Sequence, residues 1–516
     1  MTSRSPGTAG PPLGPIVAPS VGGPRRPVGV AVTRVGLALA VAFAALAGGA
    51  GWWQVAESGR LSAAPDNPLV IAAARTALRG EILDRHGNVL AMNARDPNGD
   101  AYRLYADRSV SHVVGYSSLT YGTAGLERTY AADLVGLRRG DPVADLLRKF
   151  DPSPADPQTL NLTLSLPLQR AALRGLGDQN GAVVMLDPRT GAVLTLMSMP
   201  FYDASAIANP ATSRDTWAAL TADPARPLLP RATQGRYVPG SVFKIVTAVA
   251  GLGSGAFGPD TIFPEQEAGE RDGLVVSGFR IREHPGVPVR EYGLAGATEV
   301  SSNIYYALAA LEIGGEGLAE WAGRLGFDAP LPFDLPTAAS QVTNGGGDFG
   351  GGFKDAVELA NAGYGQAETF VTPLQMALVA ATVANDGVLM RPYLVSSFVG
   401  AESGTRTADP VVVRRVLGGE DAAAIGAAMQ QAVEGELGRL FTTGAAVPGI
   451  PTAGKTGTAQ LGGEGEPHSW FIGFAPADDP QIAIAVLVEQ GGRGAERAAP
   501  LAGALMRAYL VDGVGR

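Results

Sequence analysis

The sequence predicts an α/β chain of the α+β type: a central antiparallel sheet covered by helices, with one N-terminal transmembrane helix and a small α+β juxtamembrane module. Three observations carry this. Val35–Trp53, VGLALAVAFAALAGGAGWW, holds no charge over 19 residues, close to the roughly 20 that a spanning helix needs. Residues 181–199, GAVVMLDPRTGAVLTLMSM, show two Val- and Leu-rich runs around a D-P-x-T-G turn, the pattern of a hairpin. Near the end, SWFIGFAP and QIAIAVLVEQ read as two strands joined by a short Asp-Asp-Pro turn, with apolar helical stretches over 240–440 lying before them. Strands at both ends with helices between suggest one antiparallel sheet.

Taken in order, residues 1–34 are rich in Pro and Gly, contain Arg4, Arg25, Arg26 and Arg34, and have no acid; such a tail is expected to be disordered. Residues 35–55 form the anchor. Arginines before it and none immediately after place the N-terminus in the cytoplasm, and Trp52 and Trp53 fall at the interface. A cleaved signal peptide is the alternative, but the apolar run exceeds the roughly 7–15 residues of a signal core. Either way residues 55–516 are expected outside the cytoplasm, and with the anchor retained they stay at the cell membrane.

Residues 56–160 are read as the juxtamembrane module. Within it RGEILDRHGNVLAM (79–92) reads as strand, turn at 85–88, strand. YGTAGLERTYAADLVG (121–136) reads as a short helix, and KFDPSPADPQTL (149–160) as a linker. Residues 161–516 form the main domain. SVFKIVTAVAGL is one of its helices, and TPLQMALVAATVAN another, opened by Thr372 as cap and Pro373 in the first turn. RAAPLAGALMRAYL closes the chain as a helix. GGGDFGGG (345–352) is a loop, since no strand leads into it.

Composition narrows the chemistry. The chain of 516 residues carries a formal charge of −9, no cysteine and four histidines without an H-E-x-x-H pair. Nucleic acid is therefore not expected as partner, nor a thiolate or zinc site, and no metal or cofactor is predicted. No G-x-S-x-G elbow is present.

GIPTAGKTGTA (449–459) fits two patterns. Gly449, Gly454, Lys455 and Thr456 match the phosphate-binding G-x-x-x-x-G-K-[ST], and Lys455-Thr456-Gly457 is the K-T-G of serine acyl-enzymes that also carry S-x-x-K. The first pattern needs a strand before and a helix after. Here prolines precede the lysine and glycines follow it, 61 residues remain beyond it, and nucleotides are scarce outside the cytoplasm. No nucleotide is expected.

The second pattern has its companions. Ser241 and Lys244, in GSVFK, stand three apart at the start of an apolar helix and share a face. A lysine made neutral by burial can take the serine proton there. Ser301 and Asn303, in SSN, open another apolar helix. Ser301 can relay a proton, and Asn303 can bond both Lys244 and a substrate amide. Lys455, Thr456, Gly457 and Thr458 can form an edge strand facing the serine, with Gly457 leaving room for substrate. Thr456 and Thr458 would bind a carboxylate in the field of Lys455. The backbone N–H groups of Ser241 and Thr458 would form an oxyanion hole. Each motif alone is a common helix cap or turn; the three in this order are not.

With these residues in view, the chain resembles the class B penicillin-binding proteins, in a compact form with a short N-terminal module. GAVVMLDPRTGAVLTLMSMPFYD, AGYGQAETFVTPLQMALVAATVANDGVLMRPYLV and GKTGTAQ with HSWFIGFAP are similar to family stretches. RGEILDRHGNVLA and GLERTYAADLVG resemble the juxtamembrane module of the class. The resemblance implies a transpeptidase and serine β-lactamase-like fold. It implies D,D-transpeptidation of peptidoglycan stem peptides on lipid-linked nascent glycan through a Ser241 acyl-enzyme, and covalent binding of β-lactams. It also implies a polytopic membrane glycosyltransferase as partner. Gln366 and Thr372 also match the family stretch and are read as structural; Tyr237 and Trp470 are read as lining or supporting the cleft. A D,D-carboxypeptidase, a β-lactam sensor or a β-lactamase would use the same residues.

Overall fold

The computed structural model describes residues 28–52, 78–96, 99, 101–136, 156–442, 444–460 and 465–516. The tail before Val28, Trp53 and the linker over 149–155 lie outside them. Helix α1 (Val28–Gly51) contains a 20-residue stretch, Val32–Gly51, long and apolar enough to cross a membrane. It begins seven residues before the charge-free run. Residues 28–34, expected in the disordered tail, are helical because nothing after Pro27 breaks the turn, and a lone Arg34 is compatible with a helix.

The remainder, from Ala72 to Arg516, is one compact unit. Strands β1 (Ile82–Leu83) and β2 (Val89–Arg95) flank the expected turn, and β3 (Ala101–Tyr105) follows. Helix α2 (Gly125–Thr129) sits on the GLERT segment. Strand β4 (Thr159–Leu162) runs across the expected linker boundary. It pairs in parallel with β1 on one side. Helix α3 (Leu166–Leu176) leads into the hairpin of β5 (Gly181–Leu186) and β6 (Val193–Met199). Helix α4 (Lys244–Ser254), helix α5 (Gln266–Asp272) and the hairpin β7 (Leu274–Val276) and β8 (Phe279–Ile281) come next. Helix α6 (Asn303–Arg324) is interrupted at Gly314. In α7 (Pro373–Ala384), Thr372 Oγ1 accepts the Gln375 N–H at 3.1 Å, the cap expected from sequence. Strands β9 (Val395–Gly400) and β10 (Gly404–Thr407), helix α8 (Gly419–Glu434), strands β11 (Ala453–Ala459), β12 (His468–Ala475) and β13 (Ile482–Val488), and helix α9 (Ala498–Leu510) complete the chain.

Among the described residues two large sheets stand out. One is five-stranded and antiparallel throughout, in the order β11-β12-β13-β5-β6. Its two faces are both buried, so its strands read as continuous apolar runs. Ala483, Ala485 and Leu487 join one core with α4 and α7, while Ile482, Ile484 and Val486 join another with α3 and α9. The strand's two-residue period therefore divides the molecule into helical layers on either side. The other sheet has six strands in the order β10-β9-β4-β1-β2-β3, joining β1–β3 to β9 and β10 through β4.

Candidate active site

Ser241 owes its place to the residues before it. Gly240 adopts φ +56, which a side chain would resist, and its N–H donates to the Gly365 carbonyl at 2.9 Å. A 3₁₀ turn, Gly240–Phe243, then feeds α4. A Cβ on Gly240 would lie 2.8 Å from the Thr458 carbonyl oxygen, so the turn that presents Ser241 is seated against edge strand β11. Gly457 completes the seat: a Cβ there would come 2.8 Å from the Pro239 carbonyl oxygen and 3.0 Å from Val242. The space left at Gly457, expected to admit substrate, is filled by the serine turn. Trp470, opposite Gly457 in the register, donates its indole N–H to the Val238 carbonyl at 3.0 Å and supports the same segment. Tyr237 donates its hydroxyl to Glu489 at 2.6 Å.

Lys244 is fully buried. Its Nζ lies 2.6 Å from the Ser301 carbonyl oxygen, 2.9 Å from Asn303 Oδ1 and 3.1 Å from Ser301 Oγ. Burial lowers its pKa to about 7, opposed by the charges of Glu283 and Glu270. A neutral amine has two N–H groups and one lone pair. The two carbonyl-type oxygens take the N–H groups, which leaves the lone pair for a hydroxyl proton.

The S-S-N triplet divides its labour. Ser301 is in the left-handed region, φ 59, at the end of the helix Leu294–Val300, and turns both its carbonyl and its hydroxyl to Lys244. Ser302, rather than Ser301, caps α6, accepting the Tyr305 N–H at 2.9 Å. Asn303 also donates Nδ2–H to the Arg282 carbonyl at 3.1 Å.

On β11, Lys455 and Gly457 share one face and Thr456 and Thr458 the other, as a strand's alternation requires. Lys455 is buried and donates to the Thr456 carbonyl at 3.1 Å. Burial, then the charge of Lys244, holds its pKa well below the usual lysine value. Thr458 Oγ1 accepts the Gly494 N–H at 3.3 Å. The lysine that matched the phosphate-binding pattern thus lies inside a strand, with no helix at its back.

Three groups escaped the sequence reading. Glu270 on α5 and Glu283 after β8 each place Oε1 2.7 Å from Ser302 Oγ. His284, exposed to solvent, has its pKa lowered to about 4 by partial desolvation and then by Lys244, Lys455 and Arg493. No motif links residues 270, 283 and 302.

Known proteins share the sequence and fold of this chain. Residues 181–507 match the penicillin binding protein transpeptidase domain. The peptidoglycan D,D-transpeptidase PbpA of Mycolicibacterium smegmatis is 34% identical over 504 residues, covering 93% of this chain and 99% of the relative. The transpeptidase MrdA of Escherichia coli is 29% identical, covering 80% and 67%. Penicillin-binding protein A of Mycobacterium tuberculosis, as a penicillin G acyl-enzyme complex, superimposes with a TM-score of 0.73 at 31% identity, covering 84% of this chain and all of that one. The chain belongs to the penicillin-binding protein transpeptidase family, in its class B branch.

Proposed function

We propose that this chain is a peptidoglycan D,D-transpeptidase working through an acyl-enzyme on Ser241, and that β-lactams acylate the same residue. The observation that carries this reading is the seating of the Ser241 turn against Thr458, with Lys244 held between Ser301 and Asn303. The names of its relatives and the acyl-enzyme complexes of penicillin-binding protein A support it.

Each residue has a part. The Lys244 amine takes the Ser241 Oγ proton as Oγ attacks the penultimate D-alanine carbonyl carbon. The backbone N–H groups of Ser241 and Thr458 receive the oxyanion. The C–N bond breaks, and the proton passes by way of Ser301 to the departing D-alanine amine. An amine of a second stem peptide then attacks the ester, gives up its proton along the same path, and Ser241 regains its hydroxyl. The terminal carboxylate of the substrate sits by Lys455, whose proton affinity rises again as the negative charge arrives. Thr456 and Thr458 contact that carboxylate from the strand edge, and Asn303 orients the substrate amide.

The same reading extends to organisation. Residues 35–55 anchor the chain with its N-terminus cytoplasmic, 56–160 act as a pedestal, and 161–516 hold the enzyme outside the cytoplasm. A polytopic glycosyltransferase that makes the glycan strands is the partner proposed for the pedestal.

Labelling with a fluorescent penicillin tests the core of this reading. Wild type becomes covalently labelled and the modified peptide maps to Ser241, while Ser241→Ala stays folded and unlabelled. Labelling that survives Ser241→Ala overturns the assignment.

A further inference from the structure

We propose that Glu270 and Glu283 form a proton-sharing carboxyl pair that, through Ser302, holds the Ser301–Asn303 turn on Lys244, so that both glutamates are positioning residues for acylation. This rests on the acyl-enzyme reading above.

The argument is a count of protons. The Ser302 hydroxyl has one hydrogen and two lone pairs. It accepts the Tyr305 N–H at 2.9 Å, and it lies 2.7 Å from Glu270 Oε1 and 2.7 Å from Glu283 Oε1. One O–H satisfies one carboxylate. The second oxygen–oxygen contact needs a proton of its own, which only a carboxyl group can supply. Glu283 Oε1 also accepts the Ile304 N–H at 2.6 Å, so it acts as an acceptor. The proton therefore belongs to Glu270. The chain runs from the Glu270 O–H to Ser302 Oγ, and from the Ser302 O–H to the Glu283 carboxylate.

The surroundings fit one negative charge. Burial, then the neighbouring charge of Glu283, pushes Glu270 up to about 8. The Lys244 amine, from α4, faces the pair and carries a proton only below about pH 7, and Lys455 on β11 is likewise lowered by burial. His284 is neutral above about pH 4. Burial first, and Glu283 among the lesser causes, raises the pKa values of Tyr292 and Tyr364, which stay neutral. Arg271, on α5, pairs instead with Glu267 in solvent.

Two consequences follow for the base. The Glu283 charge keeps the proton affinity of Lys244 higher than burial alone would leave it. Loss of the Glu270 proton at high pH places two carboxylates on one hydroxyl, and the turn that carries Ser301 and Asn303 loses its anchor.

The test is the rate of acylation by fluorescent penicillin, measured on the full chain from pH 5.5 to 9.5. Wild type should rise through about 7 and fall above about 8. Glu270→Gln keeps a donor to Ser302 that cannot ionise, so the alkaline fall should disappear. Glu270→Ala should lose about tenfold or more at neutral pH, short of the roughly 10²–10⁴-fold that removing the base outright costs. Glu283→Gln removes a charge near the amine and should move the acid limb down by roughly one unit. Should Glu270→Ala not fold, the two glutamine profiles decide. Wild type that labels at Ser241 while Glu270→Gln keeps its alkaline fall, or while Glu283→Gln leaves the acid limb in place, overturns the pair and leaves the acyl-enzyme reading standing. Wild type that does not label overturns both.

Discussion

A methyl group on Gly457 would sit 2.8 Å from the Pro239 carbonyl oxygen and 3.1 Å from the Trp470 Cβ. Neither is the far end of a flexible side chain, so the serine turn must move off the strand. Overpacking of this kind costs about 1–3 kcal/mol, and the displacement falls between the two N–H groups proposed for the oxyanion. Gly457→Ala should therefore slow penicillin acylation at least about tenfold, the effect of weakening one such donor, while the protein remains folded. Equal rates for wild type and variant would mean that the seat is not needed. Motif spacing made Ser241, Lys244, Ser301, Asn303 and Lys455 candidates in the sequence, because S-x-x-K, S-S-N and K-T-G are each short local patterns. Glu270 and Glu283 were not legible. Their meeting at Ser302 depends on where the hairpin β7–β8 folds, which no local pattern states.

Helix α2 shows what holds the N-terminal elements together. Its Glu127 is fully buried between Arg79 and Arg103, with Oε2 2.7 Å from Arg79 Nε and Oε1 2.7 Å from Arg103 Nε. Arg103 is nearly as buried, and its Nη2–H also donates to the Gly80 carbonyl at 3.0 Å. Removing the carboxylate strands two guanidinium groups. Glu127→Ala should cost about 3–5 kcal/mol, read as a lower midpoint in denaturant for that part of the chain; a midpoint within error of wild type would count against it. The long strands β5, β6, β12 and β13 were legible because burial on both faces writes an unbroken apolar run. β1, two residues long, was legible only through the turn beside it. The start of α1 at Val28 was not, since the charge-free run that marked the helix begins later than the helix itself.

At the scale of the whole molecule, the proposed glycosyltransferase partner would dock on the exposed residues of the N-terminal elements. Leu126, a natural choice for disrupting a contact, is fully buried in the core, so a charge there would break the fold rather than an interface. Leu104 on β3 and Leu119 are exposed. Leu104→Asp combined with Leu119→Asp should reduce co-purification of the full chain with a polytopic glycosyltransferase and leave penicillin labelling intact. Equal recovery would leave the pedestal as a spacer.

β4 lies between β1 and β9, hydrogen-bonded to both. The chain therefore has no clean place to be cut between its N-terminal strands and its transpeptidase domain. A fragment begun at residue 157 would keep β4 but strip away β1, exposing a row of unpaired backbone groups that other molecules would fill. Recombination that traded catalytic halves between relatives would meet the same obstacle, because the six-stranded sheet takes β1–β3 from one part of the chain and β9 and β10 from the other.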